Sequence, residues 1–79
     1  MTLYEVLGVE PNATFDDIRG AFSSFAENFH PDGHRGRNKK AQTLIFQIFA
    51  RGAEAVRVLA DPQLRSHYDR ETFGPTSQN

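Results

Sequence analysis

His30, Pro31 and Asp32 stand consecutively, and three kinds of chemistry are open to them: proton transfer, metal binding and contact with a partner. General-base work would fall to His30, with Asp32 orienting it. Pro31 between them makes that geometry awkward, no nucleophile stands beside them, and the end of a helical hairpin encloses no pocket. The sequence therefore points away from an enzyme. His30, Asp32 and His34 alternate along a turn, and all three residue types ligate transition metals. A triplet on a loop lacks the supporting shell that orients a functional site, so neither a metal nor another cofactor is expected. Contact with a partner remains, because polar residues on a turn held by a rigid scaffold are placed to meet one. Taken alone, the tripeptide is also what an ordinary helix stop looks like.

The charges nearby are unevenly spread. From His34 to Lys40 the chain carries Arg35, Arg37, Lys39 and Lys40 and no acid, whereas Phe15 to Phe29 carries Asp16, Asp17 and Glu27 against Arg19 alone. The basic run reads either as a solvated loop leading into a helix or as a contact for anions. Phosphate contact needs such cations, but no aromatic residue is interleaved with them and the preceding helix is acidic. With a net charge of −1 the domain as a whole does not attract nucleic acid.

Positioning this turn falls to a small frame. Seventy-nine residues make one domain with a thin core, and without cysteine there is no disulfide scaffold, thiol nucleophile or thiolate zinc site. No apolar run reaches the ~20 residues that span a bilayer, and Thr2 to Gly8 lacks the form of a signal peptide. A cytoplasmic, membrane-free protein is the expectation. Thr2-Leu3-Tyr4-Glu5 has the form of a capping box for a short first helix that Gly8 would stop. Glu10-Pro11-Asn12-Ala13 reads as a turn. Thr14 reads as the N-cap of a second helix, and Asp16 and Asp17 set negative charge at its positive end. Ile18, Ala21, Phe22, Phe25, Ala26 and Phe29 recur at steps of three and four and form one apolar face. Pro31 should end that helix near Phe29.

A third helix is predicted from between Asn38 and Ala41 to Ala60, with Ile45, Ile48, Phe49, Gly52, Val56 and Leu59 as its stripe. Gly52 within the stripe has two readings: a close backbone crossing that needs the missing side chain, or a weak point in the core. The short loop between the two long helices makes them antiparallel neighbours. Asp61 and Pro62 open a short fourth helix that should carry Leu64 and Tyr68 to the core. Residues 71–79 show no periodicity and read as a flexible tail or a linker to further domains, which leaves residues 1–70 as the folded unit.

Tyr4-Glu5-Val6-Leu7-Gly8-Val9, Asp17-Ile18-Arg19, Ala21-Phe22, Phe25-Ala26 and Phe29 before the tripeptide are followed by Phe49, Glu54-Ala55, Val58-Leu59, Asp61-Pro62, Arg65 and Tyr68-Asp69. In this order and at this spacing they resemble the J domain of DnaJ-type co-chaperones, over residues 3 to about 70. The resemblance implies an all-α fold: an antiparallel hairpin of the second and third helices, flanked by two short ones. It also implies a domain that docks on the ATP-bound state of a DnaK-type chaperone and accelerates ATP hydrolysis, with no hydrolytic chemistry of its own. His30, Pro31 and Asp32 would form the functional tip. Asp32 would meet a cation on the chaperone, Pro31 would fix the backbone direction, and His30 would help set the turn. Phe49 matches a family position that lies partly at the partner surface.

The second helix departs from the family. Its exposed face is usually rich in Lys and Arg. Here it reads Arg19, Gly20, Ser23, Ser24, Glu27 and Asn28, so only Arg19 keeps the expected charge and steering toward an acidic partner is weakened. Three accounts stay open: a chaperone with a different surface, compensation by Arg35, Arg37, Lys39 and Lys40 from the loop, or a domain that has lost productive docking and kept only the scaffold; the alternative function is a degenerate J-like module that binds another protein without stimulating ATP hydrolysis. The family's Gly/Phe-rich segment, zinc-binding repeats and client-binding domains do not occur in these 79 residues.

Overall fold

The computed structural model describes residues 1–74, and the expectation of a tail over 75–79 lies outside the described residues. Four helices follow one another: α1 (Leu3–Leu7), α2 (Phe15–Phe29), α3 (Lys39–Leu59) and α4 (Pro62–Phe73). A single 3₁₀ turn, Pro31–His34, lies between α2 and α3. The fold is all-α, with α2 and α3 paired as a hairpin and the short helices packed against its far end.

Local chemistry sets the helix ends. Thr2 and Glu5 form a reciprocal capping box, and Gly8 closes α1 in the left-handed region at φ 74°, where a side chain would be strained. Thr14 and Asp17 form a second capping box at the start of α2. Asn38 accepts from the Ala41 amide to start α3. One Asp61 oxygen accepts from the Gln63 and Leu64 amides ahead of α4, with Pro62 at the first helical position.

The buried apolar side chains are Tyr4, Leu7, Ile18, Ala55 and Leu59. They come from α1, the start of α2 and the end of α3, so the densest packing lies away from the His-Pro-Asp turn. Phe22, Phe25 and Phe29 on α2 are half-buried and stack along the hairpin. Gly52 is buried, and the structure decides between its two readings. A Cβ there would stand 2.6 Å from Phe25 Cδ1 and 2.7 Å from Cζ, and closer still to Cε1. Carbon atoms make good contact at about 3.5–4.0 Å, so the ring occupies the space a side chain would need.

Three expectations change. Ile48 belongs to the apolar stripe of α3 but is 41% exposed, because it lines an open groove with Met1, Glu5, Val6, Phe25 and Arg51. Leu64 is 39% exposed and does not reach the core. And α4 continues through Glu71, Thr72 and Phe73, where the sequence shows no periodicity.

The last two share a cause: α4 is held by directed polar contacts more than by an apolar stripe. Tyr68 Oη accepts from the Leu3 amide at 2.8 Å, and Tyr4 Oη donates to Asp69 at 2.6 Å. Arg65 donates to Tyr4 Oη at 2.9 Å and to the carbonyls of Pro11 and Ala13 at 3.1 and 2.6 Å. Its guanidinium also lies over the rings of Tyr4 and Phe15. The Phe73 ring lies 6.2 Å from that of Tyr4, so the extra turn of α4 has something to pack on. Burial, and then the bond to Asp69, push the Tyr4 phenol above its ordinary value.

Candidate functional site

His30 terminates α2 and starts the turn at once. Its amide donates to the Ala26 carbonyl at 2.9 Å, completing the last helical bond. Its backbone is extended, at φ −63° and ψ 130°, as the residue before a proline prefers. Its carbonyl accepts from the Gly33 amide at 3.0 Å, and its Nδ1 accepts from the Asp32 amide at 3.2 Å. The ring therefore acts as the N-cap of the 3₁₀ turn. Since Nδ1 accepts, the neutral ring carries its proton on Nε2. Pro31 supplies the fixed φ of the first turn position.

Phe49 supports the imidazole from below. The two rings meet edge-on, with centroids 5.1 Å apart. Phe49 touches Phe22 at 6.1 Å, Phe22 meets Phe25, and Phe25 meets Phe29 at 4.9 Å. A row of half-buried aromatic rings thus runs from the hairpin interior to His30.

Asp32 projects from this support with its side chain 68% exposed. It has a charge partner in Arg35. Arg35 donates to its Oδ1 at 3.1 Å, and its Oδ2 lies 3.9 Å from His30 Nδ1. Arg37 points its Nε at His34 Nδ1, 2.9 Å away. The sequence grouped Arg35 and Arg37 as loop cations, and both turn out to be engaged within the turn. Lys39 and Lys40 make no ion pair among the described residues.

The turn thus brings together His30, Pro31, Asp32, Arg35 and Arg37 above Phe49. Arg19 is not among them. It lies three helical turns back along α2, about 16 Å from His30 at 1.5 Å per residue. There it pairs with Asp16, one turn before it.

Two residues that shape the turn carry no mark of that work in the sequence. His34, which the sequence offers as a metal ligand, has both nitrogens taken: Nε2 meets the Asn28 carbonyl at 2.8 Å and Nδ1 meets Arg37. Gln42, from α3, donates to the carbonyls of Arg35 and Arg37 at 2.8 and 2.6 Å. These contacts span five to seven residues across a loop, and no periodicity encodes them. Their one signal is that α2 ends without a glycine cap, which leaves its last carbonyls to be satisfied by side chains.

Comparison with known proteins matches the model of the DnaJ domain over residues 2–69. A chaperone protein DnaJ from Thermotoga neapolitana is 45% identical over 67 residues, covering 85% of this chain and 17% of that protein. The chaperone protein DnaJ of Clostridium acetobutylicum is 43% identical over 76 residues, covering 96% of this chain and 18% of its own length. That of Thermoplasma acidophilum is 39% identical over 79 residues, covering 96% and 20%. The chain therefore spans about a fifth of the length of these relatives. No solved structure gives a significant match. With the four-helix frame, the His-Pro-Asp turn at the hairpin tip and a family model covering nearly all of its length, this chain belongs to the DnaJ domain family.

Proposed function

We propose that this domain docks on a DnaK-type chaperone and stimulates its ATP hydrolysis through the His30-Pro31-Asp32 turn. The observation that carries this reading is the presentation of Asp32. A carboxylate is held out to solvent on a turn whose backbone is fixed by Pro31 and by both acceptors of His30. Preorganisation of this kind lowers the ordering cost of a charged contact. A cation on the partner would take over the Asp32 oxygen that Arg35 now occupies. That exchange is inexpensive, because an exposed pair contributes only about 0–1 kcal/mol. His30 and the half-buried Phe49 support the turn from beneath, and Phe49 would join the contact at its edge. The names of the relatives, chaperone protein DnaJ, accord with this role.

The test is single-turnover ATP hydrolysis by a DnaK-type chaperone with and without the domain. Acceleration that disappears in Asp32→Asn supports the proposal. No acceleration by the parent domain rejects it.

A second reading rests on the cations. The exposed face of α2 keeps one cation, Arg19, and that one is paired with Asp16. That favours a protein-interaction module whose partner is not the acidic surface of a chaperone. Binding without stimulation in the same assay would select it.

A further inference from the structure

Phe46 is 60% exposed. Of the seven phenylalanines it is the one that packs on no other aromatic ring and under no arginine among the described residues. A single apolar residue at a surface needs no explanation. Phe46 does not stand singly. With Ile45 and Pro31 it forms the apolar wall of a groove of about 320 Å³ between the 3₁₀ turn and the first turns of α3. The polar lining includes Lys39, Gln42 and His34, and no acid among the described residues. The groove is also preformed. Gln42 ties α3 to the carbonyls of Arg35 and Arg37, and His34 ties the turn to Asn28 of α2. Walls fixed by bonds already made need no ordering when something binds between them.

Two observations say what covers this groove. The first is continuity: Pro31 and His34 line the groove and belong to the turn that presents Asp32, so a protein seated on Asp32 reaches the groove as well. The second is charge. Arg35 is paired with Asp32 and Arg37 is bonded to His34, whereas Lys39 makes no ion pair among the described residues. The complement of an apolar wall with a lysine beside it is a large apolar side chain next to a carboxylate. Lys39 therefore stands ready for an acidic surface on the α3 side of the turn, while the α2 side offers only the paired Arg19.

We propose that the groove walled by Pro31, Ile45 and Phe46 is a second docking element for the protein that engages Asp32, receiving an apolar side chain of that partner while Lys39 meets an adjacent acid. That the partner is a DnaK-type chaperone rests on the function proposed above.

The experiment measures ATPase stimulation and association kinetics with an ATP-loaded DnaK-type chaperone for the parent, Phe46→Ala, Lys39→Gln and Leu44→Ala. Leu44 is 52% exposed but lies outside the groove, about 200° round the axis of α3 from Phe46, so it controls for the loss of surface apolarity as such. Phe46→Ala should raise the domain concentration for half-maximal stimulation about tenfold, a loss in the range of an interface anchor, and leave the maximum unchanged. Lys39→Gln should slow association about two- to fivefold at low salt, and the difference should close at high salt. Leu44→Ala should match the parent, and all three variants should melt with it. Phe46→Ala that matches the parent, or Leu44→Ala that loses as much, overturns the groove as a docking element. A lowered maximum at an unchanged half-point overturns it too, since Phe46 would then act on the turn and not on docking. An association rate indifferent to Lys39→Gln overturns the acidic neighbour. Stimulation by the parent with no effect of Phe46→Ala leaves the proposed function standing and rejects this inference. Binding without stimulation, about tenfold weaker in Phe46→Ala, does the reverse. A parent that does not bind at all rejects both.

Discussion

Gly52→Ala sets two effects of known sign against each other. Within a helix, alanine is favoured over glycine by about 1 kcal/mol. At this position the new Cβ would lie 2.6 Å from Phe25 Cδ1 and 2.7 Å from Cζ, roughly 1 Å inside ordinary carbon contact. The ring cannot simply slide along α2, because Phe29 stands 4.9 Å and Phe22 6.3 Å from it. Overpacking of this size costs about 1–3 kcal/mol, so the net effect should be a loss of about 1 kcal/mol. The sign should reverse once the ring is removed. In a Phe25→Leu background, Gly52→Ala should gain about 0.5–1 kcal/mol, giving a coupling of about 2 kcal/mol between two residues 27 positions apart. Urea denaturation of the four proteins in the cycle, followed by circular dichroism, measures this directly. If Gly52→Ala stabilises the parent as much as it stabilises Phe25→Leu, the close approach does not constrain residue 52 and the argument from packing fails.

Asp32→Asn should leave stability within about 0.5 kcal/mol, because the side chain is exposed and loses only a surface pair, while ATPase stimulation disappears; a large drop in melting temperature would make Asp32 a structural residue. Ser23→Lys with Ser24→Arg should raise the association rate with an acidic-surfaced DnaK-type chaperone, and the gain should shrink as salt rises; rates at two ionic strengths test it, and no change would remove α2 from the docking face. Stability should decline above about pH 10, since burial and then Asp69 raise the folded Tyr4 phenol above its unfolded value. In that range the unfolded chain releases its proton first, so rising pH favours unfolding, whereas below it the contribution of Tyr4 is fully present. Denaturation midpoints between about pH 9 and 11 should show a shallower alkaline decline in Tyr4→Phe than in the parent, and parallel curves would contradict this.

The parts of the fold legible in the sequence are those set by neighbours along the chain. Thr2, Thr14, Asp61 and Gly8 end helices through contacts within three or four residues, and the phenylalanines of α2 share a face by periodicity alone. The turn was legible for the same reason, since Pro31 dictates the backbone of His30. The details decided across space were not. Gly52 reads as a defect until the Phe25 ring is seen to fill its place. Leu64 looks like a core residue, but Arg65, Tyr68 and Asp69 fasten α4 by hydrogen bonds to residues 52 to 65 positions away. Arg35 and Arg37 look like unengaged cations because the sequence shows their charge and not their partners.

The five buried core side chains all pack at one end of the hairpin, so resistance to opening should differ along its length. Ala55 and Leu59 sit 16 and 20 residues after Lys39, about 24–30 Å along α3 from the turn. Over that length the apolar burial that would resist separation of the helices declines, and at the tip the frame is closed by half-buried rings and by bonds from His30, His34 and Gln42. Cooperative units with fewer buried contacts open at lower free energy than the global transition. The tip should therefore open at lower free energy than the region packed around Tyr4, Leu7, Ile18, Ala55 and Leu59. A partner that recognises only the closed turn would then read the local equilibrium at the tip, and a substitution at the tip would change binding without a matching change in melting temperature.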